Sequence, residues 1–310
     1  MLDRHDLTDE EWGRLEPLLP DRAPVRGGRW ADHRVVINGV FWRTRTGSPW
    51  RDLPAGYGNW KTVYNRHRRW SADGTWVRVL DELRRGCDRR GDGQWAVGVD
   101  STVVRAHQHA AGARRRPPVE FAARVADPPG PDKGGWTEDN NPGADREGLG
   151  RSRGGLTTKI HLAADPRCRP ISRVTTPGQR NDAVVFDRVM AGIRIGRLGP
   201  GRPRTRPDRV LSDKAYSSRA IRSHLRKRGI KATIAEPADQ QGHRARRGRA
   251  GGRPPQFDTE HYKRRNTVER CINKLKTFRA VATRYDKREY IYQGTIDIAS
   301  IRIWLRDPAR

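Results

Sequence analysis

The fold is decided by one stretch of nine residues, Ala96-Val97-Gly98-Val99-Asp100-Ser101-Thr102-Val103-Val104. Its β-branched residues predict a strand, and Asp100 places a carboxylate on or just after it. The residues before this stretch predict short helices rich in aromatic side chains, whereas those after it predict strands alternating with helices. We therefore expect two domains, an all-α domain over residues 1–88 and an α/β domain over residues 94–310.

The α/β domain shows further elements in a regular order. Apolar runs predict strands at 156–163, 171–176, 209–212 and 230–235. Helices are predicted at 181–190, 218–228, 258–279 and 296–305. Two segments, 111–153 and 238–256, are rich in Gly and Arg and have no periodicity, so we expect loops or insertions there.

The net charge indicates the kind of partner. The 310 residues include 64 Lys and Arg against 36 Asp and Glu, which gives a formal net charge of +28. Such an excess suits a polyanion such as nucleic acid, although GC-rich codon usage also favours arginine. No run approaches the roughly 20 apolar residues of a membrane span. The charged N-terminus lacks the apolar stretch of a signal peptide, so we expect a cytoplasmic protein.

The N-terminal helices predict a DNA-binding motif. A capping box at Thr8 and Glu11 begins the first helix, and further helices are predicted at 32–46, at 59–70 and after Gly74. The third helix carries polar and basic residues away from its apolar side, namely Lys61, Asn65, Arg66 and Arg69. A basic helix after a tight connection is typical of the recognition helix of a helix-turn-helix. The alternative is the solvated outer face of an ordinary helical bundle.

Three carboxylates form the candidate catalytic constellation. Asp100 and Asp213 each follow an apolar strand, and Glu269 lies within a predicted helix. Cleavage and joining of phosphodiesters can be carried out by two divalent ions held by a few carboxylates on rigid elements. Taken singly, each aspartate is more typical of a turn or helix cap, and Glu269 of a surface salt bridge. Their joint placement favours a metal site.

The helix that contains Glu269 carries the sharpest local pattern. At 100° per residue, Tyr262, Arg265, Glu269 and Lys276 fall within about 60° of one another. A separate apolar face is formed by Val268, Cys271, Ile272, Leu275 and Phe278. This helix is predicted to pack by its apolar face and to present the polar row beside the core. The alternative is an ordinary i,i+4 pair of Arg265 with Glu269 on a solvated helix.

These residues match a known signature. The spacing Tyr262-x2-Arg265-x3-Glu269-x6-Lys276 is that of the Y-R-E-K motif of DDE (Asp-Asp-Glu) insertion-sequence transposases. Three internal blocks resemble the insertion-sequence-five family: Gly154-Gly155-Leu156-Thr157-Thr158-Lys159-Ile160-His161, Pro177-Gly178-Gln179-x-Asn181-Asp182 and Asp213-Lys214-Ala215-Tyr216. Two N-terminal blocks resemble its leading helical domain: Leu7-Thr8-Asp9-Glu10-Glu11-Trp12 and Arg45-Thr46-Gly47-Ser48-Pro49-Trp50-Arg51-Asp52-Leu53-Pro54.

The resemblance implies a fold, an activity and roles for particular residues. It implies a ribonuclease-H-like core in which Asp100, Asp213 and Glu269 hold two Mg²⁺ ions, with Mn²⁺ able to substitute. Arg265 and Lys276 would face phosphates of the transposon end, and Tyr262 would contact DNA or orient its neighbours. The implied partners are double-stranded DNA, as inverted-repeat ends and as target, and further copies of the chain assembled on it. The implied location is the bacterial nucleoid.

Two other functions stay open at this point. A nuclease of the same fold would hydrolyse DNA without transferring a strand, and a DNA-binding protein such as a repressor could have lost catalysis. The complete acidic triad together with Arg265 and Lys276 disfavours the second. His107 and His109 are expected to be structural or DNA-contacting, since hard Mg²⁺ seldom takes imidazole. Asp182 is an acidic alternative that ranks below the three carboxylates.

Overall fold

Four helices form the N-terminal part of the chain in the computed structural model, which describes residues 4–23, 30–87, 95–112 and 147–308. They are α1 (Asp9–Leu15), α2 (His33–Thr46), α3 (Trp60–Ala72) and α4 (Thr75–Leu83). The predicted capping box is present, because the Thr8 hydroxyl accepts from the Glu11 amide and the Glu11 carboxylate accepts from the Thr8 amide. The predicted N-terminal helices are confirmed.

The rest of the described chain alternates strands and helices. The strands are β1 (Ala96–Ala106), β2 (Gly150–Ser152), β3 (Gly155–Ala164), β4 (Pro170–Pro177), β5 (Arg209–Ser212), β6 (Lys231–Ile234) and β7 (Thr283–Arg284). The helices are α5 (Gln108–Ala111), α6 (Asp182–Ala191), α7 (Arg219–Lys227), α8 (Ala238–Arg246), α9 (Thr259–Lys263), α10 (Asn266–Lys276), α11 (Arg279–Ala282) and α12 (Glu289–Arg306).

The sheet is mixed. β3 runs antiparallel to both β1 and β4, whereas β5 runs parallel to β1 and β6 runs parallel to β5. The longer strands therefore lie in the order β4-β3-β1-β5-β6, and the short strands β2 and β7 pair with β3 and β1. Three antiparallel strands continued by two parallel strands is the ribonuclease-H-like arrangement. The predicted fold class is confirmed.

Helix α10 packs closely on the sheet. Its buried residues are Val268, Cys271, Ile272 and Leu275, and they share a core cluster with Ile160 and Leu162 of β3. The predicted apolar face is thus confirmed. The close approach depends on Gly98 of β1, because a Cβ at this position would lie 3.0 Å from Cβ of Val268. A glycine inside a strand commonly marks such an approach.

The N-terminal helices and α12 share one core. Buried side chains of this core come from α1, α3, β1 and α12, among them Leu15, Trp70, Val97 and Trp304. A buried ion pair joins Arg302 of α12 to Glu11 of α1 at 2.8 Å. The residues predicted as a separate helical domain are therefore packed against the C-terminal helix in the folded chain.

Two predicted elements differ in the structure. Residues 238–256 were expected to form a loop, but they contain α8 and a 3₁₀ turn at Gly248–Gly251. None of the residues of α8 is buried, so this helix has no apolar periodicity that the sequence could show. The single helix predicted over 258–279 is divided into α9 and α10, because the Arg264 and Arg265 amides bond to carbonyls three residues back.

Two further expectations concern a predicted loop and membrane-spanning segments. The loop predicted over 111–153 falls largely on residues 113–146, which lie outside the described residues. Among the helices of the described ranges, none is both long enough and apolar enough to cross a membrane.

Candidate active site

Asp100 and Asp213 are brought together by the parallel pairing of β1 with β5. Val99 of β1 is paired with Ser212 of β5, and each aspartate is the next residue along its strand. Both carboxylates therefore lie at the same edge of the sheet. Asp213 also caps the 3₁₀ helix Lys214–Tyr216 by accepting a 2.9 Å hydrogen bond from the Ala215 amide.

Glu269 reaches this edge from α10. The contact of Val268 with Gly98 holds the helix against β1, two residues before Asp100. The pKa of Asp100 is raised to about 6, first because burial disfavours its charged form and further because Asp213 and Glu269 place negative charge nearby. A hydrogen bond from the Ser101 amide and the positive charge of Arg265 act in the opposite direction.

Each carboxylate has a partner within the chain. Asp100 accepts from the Ser101 amide at 2.8 Å, and Glu269 Oε1 lies 2.6 Å from a guanidinium nitrogen of Arg265. Within the ranges that the structure describes, no three Asp, Glu, His or Cys side chains converge closely enough to hold a metal ion. The donor set nevertheless fits Mg²⁺, because it supplies hard oxygen ligands and the mutual repulsion that raises the pKa of Asp100 would be relieved by a cation.

The Y-R-E-K residues do not all lie at one point. Arg265 stacks over the ring of Tyr262 at 5.7 Å and pairs with Glu269, so these three are contiguous. Lys276 lies about two helical turns, or roughly 10 Å, farther along α10. It is partly buried, and burial lowers the pKa of its ammonium group.

An exposed aromatic extends this row, and the sequence analysis did not identify it. The ring of Phe257 lies 5.0 Å from that of Tyr262, and Phe257 is 44% exposed. It lies between the predicted loop over 238–256 and the predicted helix over 258–279, where a single apolar residue gives no periodic signal. An exposed aromatic in a stretch rich in arginine is the feature that could have drawn attention to it.

A second polar cluster borders the carboxylates. Asp182 accepts from Lys159 Nζ at 2.9 Å and lies 3.6 Å from Nδ1 of the buried His161. Burial raises the pKa of Tyr216, and the charges of Asp182, Asp100 and Asp213 raise it further. The Tyr216 hydroxyl therefore lies near Asp182 as well as near Asp100 and Asp213. In this cluster the Asp182 carboxylate contacts Lys159 and His161.

His107 and His109 lie elsewhere. Their rings contact each other at 4.4 Å, and the His107 ring lies 4.9 Å from that of Tyr285. His107 follows β1 and is seven residues beyond Asp100, a distance of about 23 Å along an extended strand. The two histidines are therefore remote from the carboxylates.

The basic residues predicted on the N-terminal recognition helix have different surroundings. Lys61, Asn65 and Arg69 of α3 are exposed. Arg66 is buried, with its guanidinium 2.6 Å from His33 Nδ1 and 4.2 Å from the centre of the Trp30 ring. Arg66 therefore does not lie on the exposed side of the predicted recognition helix, because residues preceding α2 and within it enclose its side chain.

Two family models match this chain. A family model described as "Transposase DDE domain" matches residues 92–294, and one described as "Putative transposase of IS4/5 family" matches residues 7–80. Two solved structures of Mos1 transposase align at low similarity. They are a pre-cleavage transpososome (12% identity, 94% of this chain and 83% of that chain, TM-score 0.23) and a paired-end complex with the left transposon end (13%, 92% and 80%, TM-score 0.24). At TM-scores this low, the similarity does not bear on this chain.

Three curated relatives are similar over part of this chain. An uncharacterised protein of Sinorhizobium fredii is 39% identical over 37% of this chain and 87% of its own length. An uncharacterised 16.2 kDa protein of insertion element IS402 from Burkholderia cepacia is 37% identical over 32% of this chain and 73% of its own. A protein of Brucella ovis named "Putative transposase for insertion sequence element IS6501" is 27% identical over 49% of this chain and 100% of its own. Since the first family model covers more than half of the residues, this chain belongs to the transposase DDE domain family.

Proposed function

We propose that this protein is the transposase of a bacterial insertion sequence, which cleaves DNA at terminal inverted repeats and joins the ends to target DNA. The observation that best supports the proposal is that Asp100 and Asp213 follow paired residues of β1 and β5, while Glu269 and Arg265 of the adjoining helix act on the charge of Asp100. The carboxylates come from the central strand β1, from the end of its parallel neighbour β5 and from helix α10, which packs on β1 and β3. Rigid elements of this kind suit a site that must hold a fixed geometry.

The three carboxylates are proposed to hold two divalent ions, Mg²⁺ or in its place Mn²⁺. When bound, such ions polarise the phosphate and stabilise the attacking and leaving oxygens. The chain's own contribution is to fix the ligands. The Ser101 amide orients Asp100, and the Ala215 amide orients Asp213. The packing of Val268 on Gly98 sets the distance between Glu269 and strand β1.

Basic and aromatic side chains around the carboxylates are proposed to hold the DNA strand. Arg265 offers a planar donor pair to a phosphate, and Lys276 offers a point charge farther along α10. Tyr262 and Phe257 present adjacent rings on which a base could stack. The exposed arginines of α8 and the turn after it add positive charge for the backbone of any sequence: Arg246, Arg247 and Arg249.

The N-terminal helices are proposed to read the ends of the element. Lys61, Asn65 and Arg69 form an exposed face on α3, as a recognition helix requires. We keep the division into a helical DNA-binding domain (1–88) and a catalytic domain (94–310) as a proposal of function, although the two share a core. Because transposition involves two ends, we also propose that copies of the chain assemble on DNA, at the nucleoid in the cytoplasm.

A nuclease is the second candidate function, and one assay separates the two. The purified protein is incubated with Mg²⁺, a labelled duplex carrying the inverted repeat that flanks its gene, and a supercoiled target plasmid. A transposase produces labelled plasmid, whereas a nuclease produces cleaved duplex alone. The Asp213→Asn variant controls for contaminating activity. The names of two relatives, both products of insertion elements, favour the transposase.

A further inference from the structure

The third carboxylate of the proposed site is occupied by a side chain of its own helix. Arg265 lies at the start of α10, and one of its guanidinium nitrogens is 2.6 Å from Oε1 of Glu269. The same arginine acts on Asp100, where its positive charge opposes the larger effect of burial on the pKa. The Arg265 guanidinium thus pairs with Glu269 and also acts on Asp100 through its charge. A bound cation would have the same two effects.

We propose that Arg265 is a latch that couples DNA binding to metal binding: it holds Glu269 in the free protein and releases it when a DNA phosphate takes the guanidinium. This inference rests on the proposed function and deepens it. It assigns Arg265 two successive partners, a carboxylate first and a phosphate second. Glu269 becomes fully available as a metal ligand once the exchange has occurred.

The surroundings of Arg265 permit this exchange. Its side chain is 24% exposed and that of Glu269 is 41% exposed, so a phosphate can approach from solvent. Arg265 lies between α9 and α10, directly before the first residue of α10. On its other side, the guanidinium rests on the Tyr262 ring at 5.7 Å, a contact that it can keep while its donors turn outwards.

The energetics favour a modest but measurable coupling. A partly exposed ion pair is weak because water screens it. A DNA phosphate, which can accept two hydrogen bonds from a guanidinium, can therefore displace the carboxylate. When the Arg265 guanidinium leaves Glu269, a divalent ion no longer has to compete with it for the carboxylate. By linkage, the factor by which DNA raises the metal affinity equals the factor by which the metal raises the DNA affinity. We expect a factor of about five to ten, at the lower end of typical couplings.

The test measures metal binding and does not depend on turnover. Mn²⁺ affinity of the full-length protein is determined by electron paramagnetic resonance, without DNA and with a duplex of the element's end that carries a non-cleavable phosphorothioate link. For the wild type, DNA should strengthen Mn²⁺ binding about five- to tenfold. For Arg265→Ala, binding without DNA should already be about fivefold stronger than in the wild type, and the further effect of DNA should disappear.

Two further variants make the result specific. Arg264→Ala removes the same charge from an exposed neighbouring position and should leave both the Mn²⁺ affinity and its response to DNA near wild type. Arg265→Gln removes the charge while keeping a long polar side chain, and should behave as Arg265→Ala does. If either Arg265 variant binds Mn²⁺ without DNA no more tightly than the wild type does, the latch is overturned.

Failure of the latch and failure of the proposed function give different results. Glu269→Gln should weaken Mn²⁺ binding to the DNA complex by at least tenfold if Glu269 is a ligand. A loss in Glu269→Gln without a gain in the Arg265 variants overturns the latch and leaves the metal site standing. Unchanged Mn²⁺ binding in Glu269→Gln overturns both.

Discussion

Gly98 and Val268 approach so closely that a methyl group on Gly98 would lie 3.0 Å from Cβ of the valine. This contact sets the distance between β1 and α10, and hence between Asp100 and Glu269. The two proposed metal ligands follow the contact residues by two positions and one position, respectively. The glycine therefore controls the site through packing, although it has no side chain to offer.

Gly98→Ala should displace α10 and weaken both stability and metal binding. We expect a loss of about 1–3 kcal/mol in the free energy of unfolding, the usual result of overpacking a core. Denaturant titration measures the stability, and Mn²⁺ titration measures the site. As a control, Gly13→Ala on the exposed face of α1 meets nothing within 4 Å and should be neutral or stabilising. Equal effects of the two substitutions would contradict this account of Gly98.

Asp213→Asn should abolish cleavage while leaving the fold intact. Asparagine keeps the oxygen that accepts from the Ala215 amide, so the cap survives, but it lacks the negative charge of a metal ligand. Cleavage of an end-bearing duplex should fall by several orders of magnitude, while thermal stability and DNA affinity without Mg²⁺ stay near wild type. Cleavage above a tenth of the wild-type rate would remove Asp213 from the site.

Asp100→Asn should stabilise the protein when divalent ions are absent. The pKa of Asp100 is raised from 3.8 to about 6, mainly by burial. Because the pKa of Asp100 is higher in the folded than in the unfolded chain, its contribution to the free energy of unfolding is fully present below pH 3.8. This contribution is lost as the pH rises through about 6. At pH 7 the charged carboxylate therefore costs roughly 1–2 kcal/mol, allowing for its partial exposure. Asparagine avoids this cost.

The measurement for Asp100→Asn is the melting temperature in EDTA. It should exceed that of the wild type at pH 7.5, and the difference should vanish near pH 4. Added Mg²⁺ should then raise the melting temperature of the wild type more than that of the variant. A variant that melts at a lower temperature than the wild type in EDTA would show that burial and repulsion do not destabilise this site.

Acid should destabilise the fold partly through His67. This residue is buried, and its Nδ1 accepts from the Trp76 indole at 3.2 Å. Burial lowers the pKa of His67 to about 4, while the charge of Asp286 raises it and that of Arg43 lowers it. Because the unfolded chain takes up a proton near pH 6.5, stability is present above that pH and is lost as pH falls towards 4. The loss should reach up to ~3 kcal/mol.

Urea denaturation from pH 7 to pH 4 measures this loss. His67→Gln should reduce the slope of stability against pH, even if the variant is less stable at pH 7. The slope that remains includes a contribution from His161, whose pKa is also lowered to about 4 by burial, and an opposite contribution from Asp100, whose pKa is raised to about 6. An unchanged slope in His67→Gln would mean that His67 does not titrate in this range.

Substitutions of Arg66 and Arg69, which lie on the same helix, should have different effects: the first on stability and the second on DNA affinity. Arg69 is exposed, so Arg69→Ala should weaken duplex binding and reduce the dependence of log affinity on log salt by about one. Arg66 is buried against Trp30 and His33, and burial lowers its pKa to about 10. Arg66→Ala should therefore lower stability by roughly 1–3 kcal/mol and leave the salt dependence unchanged. A reduced salt dependence in Arg66→Ala would restore it as a DNA contact.

Local patterns were enough to predict the framework of the candidate site. The apolar runs around Asp100 and before Asp213 predicted two strands, and in the structure Asp100 lies within β1 while Asp213 directly follows β5. The spacing of Arg265 and Glu269 put both on one stripe of a helix, and the structure pairs them at 2.6 Å. The spacing of Arg265 and Glu269 is local, so helical geometry alone determines it, whereas the placement of Asp100 beside Asp213 depends on the pairing of two strands that are distant in the sequence.

Other features depend on contacts between distant residues. Arg66 lies only about 40° from Trp70 around α3, and its burial is decided by Trp30 and His33, which the helix pattern does not include. Helix α8 buries nothing, so hydrophobic periodicity could not reveal it. The packing of the N-terminal helices against α12 joins residues from opposite ends of the sequence, which no local pattern reveals.

The pairing of Glu11 with Arg302 also bears on how the protein is made. The two residues are separated by 291 positions, so the first helix leaves the ribosome long before its partner exists. At about 5–20 residues per second, the delay is roughly 15–60 s. During that time the N-terminal helices keep apolar surface exposed, where chaperones can bind it. The N-terminal helices of a nascent chain therefore reach their final packing only after α12 has been synthesised and released.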